Sequence, residues 1–284
     1  MGPSGHGWRE MSGVLYLVGT PIGNLGDLSD RARDTLAAVA LIAAEDTRRT
    51  GRLLHGLDIR TPLVSMFEGN EDERAAEVVE RLETGEDVAV VTDGGMPGVS
   101  DPGYRVVRRA VDRGIEVRVV PGPSAAIAAL VLSGLPTDRF AFEGFLPRRP
   151  GDRARRFQAL RHEPRTIVFF EAPRRVPTLL REIGGALGDR RIAVCRELTK
   201  LHEEVIRGTV DEVLAAIGER DLKGEVAVVV EGDHDGAPLD HAALLDEVRR
   251  LIEGGMRTRD AARAVAERHG ASANDLYRAA ITEA

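Results

Sequence analysis

The chain has 284 residues, of which 43% are hydrophobic and 30% charged, and its formal net charge is −7. That length exceeds one typical domain and leaves ample material for a core, and the composition is that of a soluble globular protein. The lone Cys195 excludes an internal disulfide and a multi-cysteine metal site and points to a reducing cytoplasm, while the acidic balance opposes a generally basic nucleic-acid surface.

Residues 1–13 lack the apolar core of a signal peptide and read as a flexible extension. Residues 14–18 form an apolar strand that ends in VGTPIGN (residues 18–24), and Ser29 then caps a helix with Ala32, Leu36, Val39 and Ala40 on one face. A strand at 41–44, a short helix at 47–54, a strand at 62–66 and a helix carrying Ala75, Val78, Val79 and Leu82 follow. Residues 87–92 are nearly all apolar, as in a strand buried on both faces, and run into DGGMPGVSDPG (93–103). A helix around Val107 and Ala110 leads to EVRVV (116–120) and PGPSA (121–125), where Ser124 caps an Ala-rich helix ending at Gly134. This alternation predicts an α/β fold with a parallel, doubly wound sheet over residues 14–145.

Residues 146–165 are rich in Pro and Arg and read as a linker entering a basic helix, the start of a second α/β domain over 146–236. Its strands are expected at 166–170, 191–195, 204–208 and 225–231, with helices at 177–187 and 211–217. From 237 to 284 only helices are expected. The segments 260–268 and 274–281 have helix-turn-helix spacing, read as a plain hairpin packed on the second domain.

Three loops of Gly, Pro, Thr, Ser and acid at strand ends describe a ligand cleft, because ligands of open α/β sheets bind outside the carboxyl ends of the strands. Glycine lets a bulky ligand approach the backbone there, and proline presets the turn. The glycines at 19, 23 and 26 do not fit GxGxxG, no Gly-Lys-Ser/Thr follows a glycine loop, and Ser124 lies outside a GxSxG elbow. His202 has Ile206 where a second zinc ligand would fall, so no metal is expected. Arginines cluster at 48, 49 and 52, at 174 and 175, and seven times between 148 and 165.

Eight blocks carry a resemblance: YLVGTPIGNLGDLSDRA (16–32), AAEDTRRT (43–50), DGGMPGVSDPG, VVPGPSA, FEGFLPR (142–148), FFEAPRR (169–175), RELTKLHEEVIRGT (196–209) and GEVAVVVEG (224–232). Together they resemble the tetrapyrrole methylase superfamily of S-adenosylmethionine-dependent methyltransferases. Within it they are similar to the branch that 2′-O-methylates a cytidine of 16S rRNA. The resemblance implies two α/β domains with S-adenosyl-L-methionine in the cleft between them, a homodimer, and 16S rRNA or the assembled small ribosomal subunit as partner. Carried over by motif, Pro21, Gly94, Gly95, Met96, Pro97, Val99, Ser124 and Ala125 would line the cofactor.

Methyl transfer to a ribose hydroxyl rests on alignment, and a base would add about 10²–10⁴. Lys200, Glu45 and Asp46 lead the candidates, with Asp93, Asp101, Glu171 and Glu197 also at strand ends. Lys200 acts as a base only if its pKa is lowered; otherwise it pairs with Glu197 or Glu203. Arg48, Arg148, Arg149 and Arg175 are the expected RNA contacts, since guanidinium pairs bidentately with phosphate. A small-molecule methylase of the same fold and a non-catalytic RNA-binding protein are the alternatives.

Overall fold

The computed structural model describes residues 12–233, 241–269 and 271–282, so the expected extension over 1–13 lies almost wholly outside the described residues, as does Gly270 of the C-terminal turn. The first layers are β1 (Leu15–Val18), α1 (Asp30–Ala38), β2 (Leu41–Ala44), α2 (Thr47–Gly56), β3 (Leu63–Ser65), α3 (Glu71–Glu83), β4 (Val88–Val91), α4 (Tyr104–Asp112) and β5 (Val117–Val120). The five strands are parallel, in the order β3-β2-β4-β1-β5. Every residue of β2 and β4 is buried, which is why both read as unbroken apolar runs. Val78, Leu82, Val106 and Ala110 pack one face of the sheet, and Leu36, Leu54 and Ile59 the other. Each of the valine, leucine and isoleucine side chains contributes about 1.5–3 kcal/mol when fully buried. Strand β4 returns between β2 and β1, which gathers the loops after β1, β2, β4 and β5 at one end of the sheet.

The chain then forms α5 (Ala125–Ser133), β6 (Phe140–Phe145), α6 (Pro150–Leu160), β7 (Thr166–Glu171), α7 (Val176–Leu187), β8 (Arg191–Arg196), β9 (Glu204–Thr209), α8 (Val210–Ile217) and β10 (Val226–Val230). This second sheet has the order β6-β7-β10-β8-β9; only β6 and β7 are parallel. Its existence matches expectation, but the division at 145/146 does not match the sheets. Strand β6 is the edge of the second sheet, and α5 buries Ala126, Ala129 and Leu130 against Val168, Ala193, Ala227 and Val229 of that sheet. The chain therefore crosses between the two sheets in the PGPS turn after β5. Strand β6 is hidden in the sequence because Gly144, at φ 57°, breaks its alternation with a bulge opposite β7.

Helices α9 (His241–Glu253), α10 (Thr258–His269) and α11 (Ala273–Thr282) close the chain. They share a core of Leu244, Val248, Ala261, Val265 and Leu276, so the expected hairpin packs on α9 instead of on the second sheet. Among the described residues no helix is long and apolar enough to cross a membrane.

Candidate functional site

Between the two sheets lies a cleft of about 520 Å³. The first half supplies Pro21, Ile22, Gly23, Glu45, Asp93 and Asp101; the second supplies Phe145, Phe170, Ala172, Cys195, Leu198 and Lys200. Glycines set how closely the loops approach. A Cβ on Gly19 would lie 2.6 Å from Gly122 Cα, and one on Gly122 would lie 2.8 Å from Gly19 Cα, so the first and third loops touch backbone to backbone. Two further glycines seat side chains from across the cleft. A Cβ on Gly23 would meet Lys200 Cγ at 2.5 Å, and one on Gly144 would meet Ser100 Oγ at 2.5 Å.

Of the expected cofactor residues, Pro21, Gly94 and Ala125 line the cleft. Gly95, Met96, Pro97 and Ser124 are not among its lining residues. Gly95 exchanges two 3.0 Å backbone hydrogen bonds with Thr20, Met96 packs beside Gly19, and Ser124 caps α5. Val99 is about half exposed and lies outside the cleft lining. The far end of the second loop is held by buried Glu71, which accepts hydrogen bonds from Gly103 N at 2.9 Å and Arg105 N at 3.1 Å. Phe145, Phe170, Ala172, Cys195, Leu198 and Gly224 escaped the sequence reading as cleft residues, because they are ordinary apolar or small residues of the second sheet with no spacing signal of their own.

The strand-end carboxylates divide by environment. Asp46 caps α2 through Arg48 N and pairs with the Arg48 guanidinium, whose hydrogen bonds hold its carboxyl below the usual aspartate range. Its position is that of a helix cap. Glu45 accepts from Asp93 N at 3.2 Å while Asp93 accepts from Asp46 N at 3.1 Å, which stitches the β2 and β4 ends together. Burial raises the Glu45 carboxyl, with the Asp93 charge adding to it. Asp101 stands further from the ordinary range. Burial first, then the Glu45 and Asp93 charges, push it up to about 7, and its side chain makes no hydrogen bond among the described residues.

Lys200 shows the opposite of what a base requires. Burial alone would lower its pKa, but the ammonium donates to Glu197 at 2.8 Å and to Glu225 at 3.2 Å, and these partners raise it overall. Lys200 thus takes the pairing alternative, with Glu197 as a partner, and lacks the lowered pKa that a proton acceptor needs. Glu197 itself sits at φ 52°, with its carboxylate lodged against Gly224 where a Cβ would fall. Burial pushes the Cys195 thiol up to about 11, away from the thiolate form that a nucleophile uses.

The arginines also separate. Glu171 is buried and bonded to Arg153 at 3.1 Å and Arg175 at 2.6 Å, so this carboxylate anchors two guanidinium groups. Within the basic run, Arg155, Arg156 and Arg165 pair with Asp152, Glu143 and Glu163. Arg148 and Arg149 are exposed and form no ion pair among the described residues. Arg48 is exposed but paired with Asp46.

A family model described as Tetrapyrrole (Corrin/Porphyrin) Methylases matches residues 14–214. A Synechocystis protein named ribosomal RNA small subunit methyltransferase I is 43% identical over 272 residues, covering 95% of this chain and 98% of that protein. A Xylella fastidiosa protein of the same name is 45% identical, covering 93% and 98%. The structure of uroporphyrin-III-C-methyltransferase from Thermus thermophilus is similar with a TM-score of 0.56 at 23% identity, covering 76% of this chain and 94% of that one. A diphthine synthase structure gives 0.59 at 14% identity, covering 78% and 90%. The two structures bear on the fold alone.

Proposed function

Because the chain belongs to the tetrapyrrole (corrin/porphyrin) methylases, we propose that it transfers the methyl group of S-adenosyl-L-methionine to the 2′-hydroxyl of a cytidine in 16S rRNA of the small ribosomal subunit. The observation that carries this reading is the sustained identity, across nearly the whole of both chains, with relatives bearing an rRNA methyltransferase name. The cleft fits such a cofactor. Its volume lies within the range of small-molecule sites, and Gly19 and Gly122 hold the first and third loops in a contact that any side chain would push apart. Glu45, Asp93, Asp101, Glu171 and Glu225 set five carboxyl groups against the two cations Arg49 and Lys200 in the cleft lining, a balance that favours a sulfonium cation. The cofactor, when bound, supplies an already activated methyl group.

The protein's own residues then have two tasks. Pro21, Gly94 and Ala125 shape the cofactor seat, and Asp101 accepts the proton of the attacking hydroxyl. A carboxyl near 7 is half ionised at neutral pH, where a general base works best. Burial, with the Glu45 and Asp93 charges added, keeps Asp101 raised, and Glu45, itself raised by burial, is the alternative acceptor. Lys200, as a fixed cation, orients the substrate. Lys200→Met should thus lower turnover while the rate still rises between about pH 6 and 8. A flat profile in that variant would return the base to Lys200.

Arg148 and Arg149, unpaired among the described residues, offer guanidinium groups for phosphate, with Arg48 and Arg175 joining by exchanging their carboxylate partners. The double variant Arg148→Glu, Arg149→Glu should raise KM for small subunits about tenfold or more and leave cofactor affinity unchanged, as measured by transfer kinetics and calorimetry. An unchanged KM at physiological salt would make this pair a solvated surface. The homodimer and cytoplasmic location belong to the same proposal. Edge strand β5 exposes Val119, a side chain that association would cover. The reading is tested by incubating the protein and labelled S-adenosylmethionine with unmodified small subunits, naked 16S rRNA and a tetrapyrrole; label is expected in rRNA. Label in the tetrapyrrole alone overturns it.

A further inference from the structure

A second cavity, of about 350 Å³, opens beside the cleft and shares Pro21, Arg49 and Asp93 with it. The Arg49–Asp93 ion pair, at 2.9 Å, stands between the two. Leu25, Leu53 and Leu57 give the cavity apolar walls, and Thr20 and Thr92 lie at the strand ends that line it. Thr92 is 2% exposed, yet its Oγ1 has no hydrogen-bond partner. A buried hydroxyl left in that state costs about 1–3 kcal/mol, so such groups are normally satisfied. The neighbouring Thr20 hydroxyl donates to Thr92 O at 3.0 Å and retains its own acceptor capacity. Arg52 lines the cavity, is exposed, and forms no ion pair among the described residues.

We propose that this side cavity seats the pyrimidine base of the nucleotide being methylated. The inference rests on the rRNA reading above and adds a recognition site to it. A ribose hydroxyl aligned in the main cleft carries its base on the adjacent ring carbon, so the base must enter a space that opens directly beside that cleft. Enzymes that do chemistry on a base take it out of the stack, hold it between aromatic or apolar side chains and read its polar edge, and the same recognition suits a nucleotide modified on its ribose. The leucine walls provide the apolar slot. Thr92 Oγ1 is shielded from solvent in the empty cavity, and a χ1 rotation that turns it inward lets the hydroxyl donate to the ring nitrogen or carbonyl of cytosine, or accept from its exocyclic amine. Exposed Arg52 supplies a guanidinium for a flanking phosphate.

Gly56, the last residue of α2, also lines the cavity, and a Cβ there would meet nothing within 4 Å, so a larger residue can be introduced without a backbone clash. The test uses the full chain with unmodified small subunits as substrate and S-adenosylhomocysteine as calorimetric probe. Thr92→Val and Gly56→Phe should each lower kcat/KM for subunits by about tenfold or more, with S-adenosylhomocysteine affinity within about twofold of wild type. Thr92→Ser, which keeps the hydroxyl, should restore most of the rate. Parallel loss of S-adenosylhomocysteine affinity would assign the cavity to the cofactor and overturn the proposal. So would wild-type kcat/KM in Gly56→Phe. If the wild-type protein transfers nothing to subunits, the rRNA reading fails first and the base seat falls with it.

Discussion

Asp101→Asn should lower the methyl-transfer rate by about 10² or more while S-adenosylmethionine still binds. The wild-type rate should rise with pH through about 7, where the Asp101 carboxyl loses its proton, and the variant should lose that rise. The same substitution should stabilise the fold, with a sign fixed by linkage. The folded pKa of Asp101 lies above the ordinary aspartate value of 3.8. Stability associated with this group is therefore fully present below pH 3.8 and is lost as pH rises to about 7. The asparagine variant escapes that loss, so its advantage in Tm over wild type should grow between about pH 4 and 7 and then level off. Thermal melts across that range, beside rate profiles, separate a base from a merely structural acid. A variant with normal turnover would leave Glu45 and alignment to carry the reaction.

Gly122→Ala should weaken cofactor binding about tenfold to a hundredfold. The added methyl would sit 2.8 Å from the Gly19 backbone, and relieving it means parting the first and third loops. Overpacking of this kind costs about 1–3 kcal/mol, and each 1.4 kcal/mol is a factor of ten in affinity. Calorimetry with S-adenosylhomocysteine reads the loss, and circular dichroism should show the secondary structure retained. Wild-type affinity in this variant would mean that the Gly19–Gly122 contact has no part in the cofactor seat.

The first sheet was legible in the amino-acid sequence because β2 and β4 are buried on both faces and their neighbouring helices bury one stripe each. The assignment of β6 and α5 was not, because which sheet a segment joins depends on partners such as Val168 and Ala193, which lie far along the chain. The site divides in the same way. Pro21 and Gly94 announce themselves as turn-forming residues at strand ends and Ala125 follows the PGPS turn as the first residue of α5, whereas Phe170, Leu198 and Gly224 enter the cleft only through the second sheet's geometry. Lys200 is instructive for a different reason. Glu197, three residues before it, is visible as a partner, but Glu225, its second partner, arrives from the start of the last strand of that sheet and helps hold the lysine protonated. Environment likewise separates Asp46, neutralised by Arg48, from Asp101, which has no such partner.

The central claim, ribose methylation of the small-subunit RNA, is tested most directly by locating the transferred group. Small subunits from cells lacking this protein are incubated with it and labelled S-adenosylmethionine, and the 16S rRNA is then cleaved with alkali. A 2′-O-methyl group removes the hydroxyl that alkali needs, so the account predicts one labelled, cleavage-resistant dinucleotide whose 5′ residue is a cytidine. Label recovered in ordinary alkali-released mononucleotides, as base methylation would give, or no label in the RNA, would contradict it.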